Sequence, residues 1–113
     1  MNERANALIE RFRQEDEDTY SNGMRQLTQT AEGRNVIFRL ITDSGLWDTS
    51  PYSDDAKLTA FHLGRQEMAR EFLRKLNEVD PTVWPAIQLE MVEVHGNRQQ
   101  MLDAIEQEDE EDG

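Results

Sequence analysis

The chain has 113 residues, 36% of them hydrophobic and 32% charged, which suffices for one domain around one core and not for a catalytic domain beside a separate binding domain. A formal net charge of −12 excludes ordinary phosphate-backbone binding, which needs Lys and Arg to displace counterions, and the lack of cysteine excludes disulfides, thiolate nucleophiles and cysteine metal sites. The charge is uneven: residues 103–113 hold seven acids and no base, so the rest, with 12 basic and 17 acidic residues, is only mildly acidic at −5.

Along residues 2–14, Ala5, Leu8, Ile9 and Phe12 recur at helical spacing on an otherwise polar segment, which predicts an amphipathic arm with a narrow apolar stripe. The arm lacks a basic polar face, so its expected partner is a protein rather than an anionic membrane. It begins Met1-Asn2-Glu3-Arg4, without the apolar core of a signal peptide, and no span of about 20 apolar residues follows anywhere. The expected location is therefore the cytoplasm, or the inside of something assembled there. Glu15-Asp16-Glu17-Asp18 interrupts the stripe before Tyr20, Met24 and Leu27 resume it, so a break or bend is expected near residues 15–19.

Thr30 is a natural N-cap for a second helix carrying Val36, Ile37, Leu40 and Ile41. Ser44-Gly45 stops it, with Gly45 suited to the left-handed position after the helix and Leu46 to the apolar contact that closes it. Trp47 to Tyr52 read as a loop. Ser53, followed by Asp54 and Asp55, caps the longest helix, about residues 54–78, whose expected core face is Leu58, Phe61, Met68, Phe72 and Leu76. Asp80-Pro81 ends that helix. Thr82 then caps one holding Pro85 in its first turn and presenting Trp84, Ile87, Met91 and Val94 before Gly96. Met101, Leu102 and Ile105 extend to a further turn or two, after which the acids have nothing to bury. No alternating run of β-branched residues marks a strand. The expected fold is all-α: a helical arm over 1–28, a small helical bundle over 29–102 and a mobile acidic tail over 103–113.

The most specific internal feature is a repeated pair, Gly33-Arg34 followed by Arg39 and Gly64-Arg65 followed by Arg70, both reading G-R-x-x-x-x-R. Glycine in a helix interior costs about 1 kcal/mol relative to alanine, so Gly33 and Gly64 are expected at close helix crossings. Arg34, Arg39, Arg65 and Arg70 either pair with local acids such as Glu32, Glu67 and Glu71 or form a face that docks onto a partner carboxylate or phosphate. Together with Leu8, Ile9, Phe12 and Trp47, they are the candidate docking residues. Trp47 and Trp84 otherwise serve as packing anchors. His62 and His95 have no second ligand at i,i+4 spacing, the acidic runs do not match a calcium loop, and no nucleophile elbow or phosphate loop occurs. No catalytic residue, metal or cofactor is expected, and the chain reads as a non-enzyme.

The ordered set Thr30-x-Glu32-Gly33-Arg34-x-x-x-x-Arg39-Leu40-Ile41, Gly45-Leu46-Trp47, Thr59-Ala60-Phe61-x-x-Gly64-Arg65, Asp80-Pro81 and Met91-x-Glu93 resembles a family of small tailed-bacteriophage proteins named after a Bordetella podophage reading frame and encoded among head and tail morphogenesis genes. The resemblance spans residues 27–94. Where the family tends to carry an aromatic or small apolar residue after the second glycine-arginine pair, this chain has Gln66-Glu67-Met68, which makes the helix more polar. The resemblance implies a virion or assembly context, in the virion or the host cytoplasm; taken with the apolar stripe of residues 5–12, the expectation is a virion-associated or morphogenesis protein that docks onto a larger virion protein such as the portal, tail or an internal protein, with ejection alongside DNA or self-association as further arrangements. The net charge of −12 argues against direct contact with nucleic acid. The other reading is an acidic, DNA-mimicking regulator that blocks a basic nucleic-acid-binding surface.

Overall fold

Local capping chemistry divides the chain. In the computed structural model, which describes residues 2–112, Asn2 accepts a hydrogen bond from the Ala5 amide at 2.8 Å and starts α1 (Glu3–Thr28), and Thr30 accepts from the Gly33 amide at 3.0 Å and starts α2 (Ala31–Asp43). Gly45, at φ 72°, ends α2, and the half-buried Leu46 packs on the core behind it, as the stop signal requires. Asp55, not Ser53, caps α3 (Ala56–Val79), its carboxylate accepting from the amides of Lys57 and Leu58. Ser53 instead binds Asp55 and Thr59, so it stabilises the approach to the helix rather than its first turn. The Thr82 carbonyl accepts the first bond of α4 (Val83–Asp112), which leaves Pro85 in the first turn, where an amide hydrogen would have no intrahelical acceptor. There is no strand among the described residues.

Two expectations about the helix ends are corrected. The break near residues 15–19 does not occur. The acidic side chains all stand in water, Arg11 pairs with Glu15 at 3.1 Å, Gln14 donates to Asp18 at 3.0 Å, and nothing in the run removes a backbone amide. The acidic tail is not a separate segment either: α4 runs unbroken through Gly96 and across the expected boundary at 102/103 to Asp112. Met1 and Gly113, the outermost residues of the expected arm and tail, lie outside the described residues.

The core is small and sits where the four helices meet. Met24 of α1, Ile37 and Ile41 of α2, Leu76 of α3 and Trp84, Ile87 and Met91 of α4 are buried against one another, with Phe38, Phe72 and Leu73 half-buried around them. Each fully buried side chain of this size contributes roughly 1.5–3 kcal/mol through the hydrophobic effect. Only part of the expected α3 face is used. Leu76 is fully buried, whereas Phe61 and Met68 are 60% and 77% exposed.

The expected bundle is consequently an extended molecule. It measures 82 × 41 × 17 Å with a radius of gyration of 21.0 Å, against about 13 Å for a compact chain of this length. The first two-thirds of α1 and the second half of α4 protrude from the core, their residues exposed almost without exception. No helix among the described residues is long and apolar enough to cross a membrane.

Candidate functional site

The four motif arginines have three different fates. Arg34 turns inward: its Nε and Nη2 donate to the two carboxylate oxygens of Glu90 on α4 at 2.7 and 3.1 Å, and its Nη1 donates to the Thr28 carbonyl at 3.1 Å. This fork fastens the α1–α2 junction to α4. The hydrogen bond from Arg34 holds the Glu90 carboxyl below the ordinary glutamate range, and the same bond raises the guanidinium further above neutrality. Arg34 is thus not available to a partner. Its acid is Glu90, 56 residues away, rather than a local one. Arg39 and Arg70 are exposed and pair with Asp43 at 3.6 Å and Glu67 at 3.1 Å on their own helices, contacts that add little in water.

Arg65 differs from all three. No carboxylate lies within ion-pair distance of it among the described residues. Its guanidinium carbon sits 5.4 Å from the centre of the Phe61 ring, its Nη2 is 3.3 Å from His62 Nδ1, and its Nε is buried without a hydrogen-bond partner. This half-satisfied cation lies at the edge of an apolar groove of about 300 Å³ between α2 and α3, lined by Leu40, Ser44, Met68, Ala69 and Phe72 with Asp43 at its rim. The heptad spacing of Leu58, Phe61, Arg65, Met68 and Phe72 puts these side chains on one side of α3, so the uncovered stripe continues beyond the groove.

Gln66, which read as a residue that makes α3 more polar, is almost wholly buried. Its side-chain amide donates to the carbonyls of Gly45 at 3.1 Å and Thr49 at 2.9 Å, fixing the loop after α2 against α3 and so shaping the mouth of the groove. A polar residue one position past Arg65, on the face turned towards that loop, was the available signal.

The two glycines also part company. A Cβ on Gly33 would fall 2.0 Å from the Leu27 carbonyl oxygen, so the α1–α2 junction closes only over glycine. A Cβ on Gly64 would meet nothing within 4 Å, so the expected crossing there is absent: that side of α3 faces solvent. Trp47 stacks on Trp84 with ring centres 5.7 Å apart, and Trp84 stacks on Phe38 at 6.3 Å, yet Trp47 remains 57% exposed. It borders a second, shallower cleft with Arg70, Leu73, Arg74 and Asn77, away from Arg65. Leu8, Ile9 and Phe12 lie on the protruding part of α1, about half exposed. The structure therefore does not gather the candidate residues into one site. It leaves a groove at Arg65, an aromatic ledge at Trp47 and an apolar stripe on α1.

No group of three or more His, Asp or Glu residues that could hold a metal ion occurs among the described residues. The groove offers binding surface: apolar walls that would exclude water around an inserted side chain, and one cation with hydrogen-bonding capacity to spare. No family model, curated protein or solved structure matches the chain.

Proposed function

We propose that this chain acts by protein–protein docking in the virion or the morphogenesis of a tailed bacteriophage, offering the α2–α3 groove to a larger virion protein near the portal and tail. The observation that carries the docking reading is the Arg65 guanidinium, buried at Nε and without a carboxylate, beside an open apolar groove. A partner segment with an apolar side chain followed by a carboxylate matches it: the chain inserts between Leu40, Met68 and Phe72, and the carboxylate takes the free edge of Arg65. Anchors of this kind, an apolar plug beside a desolvated arginine, typically contribute about 2 kcal/mol or more each. The phage context rests on the resemblance carried by the glycine-arginine pairs and their flanking residues.

Quantitative mass spectrometry of purified particles tests the reading. The wild-type chain is expected at fixed stoichiometry, and Arg65→Glu at a level about tenfold lower with unchanged thermal melting. Retention in DNA-emptied ghosts would make the protein a fixed component, and loss from them an ejected one. Absence from virions and assembly intermediates alike would overturn the assignment.

A second reading, an acidic regulator that occupies a basic nucleic-acid-binding surface, draws on the helical order of residues 103–112, which holds seven carboxylates on a fixed frame. Deleting residues 106–113 should then abolish binding to a basic partner, and unchanged binding removes the idea.

A further inference from the structure

Two unpartnered apolar seams protrude from the core. One is Ile9 and Phe12 on α1, flanked by Leu8. The other is Met101, Leu102 and Ile105 on α4, in helical register with the buried Ile87 and Met91 of the same helix, so it continues the core-facing side past the end of the core. The helices α1 and α4 are only about 39 and 45 Å long, so a long axis of 82 Å requires the two protruding segments to leave the core in opposite directions. A single chain cannot bring them together.

We infer that the occupant of each seam is the other seam of a second copy, in a two-fold dimer of side-by-side, oppositely directed molecules. A two-fold axis across the long direction places the α1 segment of one copy at the same end as the α4 segment of its partner, and it does so at both ends at once. The paired helices are then antiparallel. Setting Ile9 level with the partner's Ile105 sets Phe12 level with the partner's Leu102, and the same register sets Asp16 level with the partner's Arg98. Asp16 and Arg98 are the charges that interrupt the two apolar seams at this spacing, and neither has an ion-pair partner within its own chain among the described residues. A matched charge inside an apolar seam is the device by which helix pairs fix register and direction.

The wider charge distribution agrees. Residues 2–14 hold three arginines and two glutamates, whereas residues 98–112 hold one arginine and seven acids. The antiparallel arrangement puts the basic, dipole-positive start of α1 against the acidic end of α4. A parallel one would put Glu15 to Asp18 against the acids of 106–112. Each overlap is about 27 Å long, and the two-fold axis creates two of them, one at each end. The dimer is argued from residues other than those lining the α2–α3 groove and does not depend on the phage assignment.

Sedimentation equilibrium on the full chain should give twice 13.2 kDa. Asp16→Arg and Arg98→Glu should each weaken the dimer about tenfold, and the double variant should recover most of the loss, which mere misfolding would not do. Because the chain has no cysteine, Ile9→Cys mixed with Ile105→Cys should give an oxidised cross-linked dimer, while either alone should give far less. A monomer at the highest soluble concentration overturns the inference. So do arm-to-arm cross-links from Ile9→Cys alone, and so does a mass that grows past the dimer with concentration.

Discussion

The segments Gly33 to Arg39 and Gly64 to Arg70 spell the same pattern, and the fold uses them in opposite ways. In α2 the glycine is pressed against the Leu27 carbonyl and the arginine grips Glu90, so the pair is a structural joint. In α3 the glycine faces open solvent and the arginine borders an empty groove, so the pair is a surface. Both stretches are helical and share the glycine and arginine positions, although Asn35-Val36-Ile37-Phe38 lie between the arginines in one and Gln66-Glu67-Met68-Ala69 in the other. What differs is the company: α2 begins at a two-residue turn that folds α1 back over it, whereas the first half of α3 has only a loop and the edge of α2 beside it. A motif of this length encodes capability, and its neighbours decide whether that becomes packing or binding.

The contrast is broken most sharply at the glycine of the joint. Gly33→Ala forces a methyl group into a backbone oxygen and should destabilise the protein by about 3 kcal/mol, the upper end of overpacking costs, read as a lower urea midpoint. Its effect should reach α1 and α4 together, because Arg34 is positioned by the same junction.

Arg34→Met and Arg65→Met should separate stability from binding. The first strands Glu90 half-buried and should lower Tm clearly; the second should leave Tm nearly unchanged and abolish docking. The Arg34 effect carries a pH signature. The Glu90 carboxyl is depressed in the folded state, so its contribution is complete above the ordinary value of 4.5 and is lost as pH falls through the lower, folded value. The same bond raises the Arg34 guanidinium further above its ordinary value, so its contribution persists at all lower pH. The Tm gap between wild type and Arg34→Met should therefore be constant near neutrality and shrink below pH 4.5, as thermal melts across that range would show.

Smallest and opposite in sign, Gly64→Ala should stabilise α3 by about 0.8 kcal/mol, since alanine gains helix propensity and its methyl meets nothing. A loss on Gly64→Ala in the isolated protein would mean that the two pairs are more alike than the structure has them. Loss only of partner binding would place Gly64 inside the docking surface.

Features set within one turn of chain were legible in the residues. Thr30 and Gly45 act as read because a cap is a bond between neighbours, and Pro85 sits where its missing amide does least harm. The acidic run at 15–18 reads as a break because it interrupts the apolar stripe, yet a gap in the stripe is not a gap in the backbone: glutamate is a good helix former, and only proline or a competing backbone bond would interrupt the ladder. The stripe on α3 read as core because periodicity reports an apolar face and not what covers it, and here α1 and α4 cover only its second half. Of the candidate site, Arg65 was among the residues singled out, but nothing separated it from Arg34. That distinction depends on Glu90, which lies 56 residues from Arg34 in the chain.

The all-helical class, the positions of the turns and the two apolar seams were determined by the sequence alone, because capping and periodicity act over a few residues and need no partner. Which apolar faces are buried, which arginine is tied down and which glycine is crowded were decided only by the tertiary structure. Those properties belong to pairs of segments far apart in the chain, and here the core is too small to cover every face the helices present.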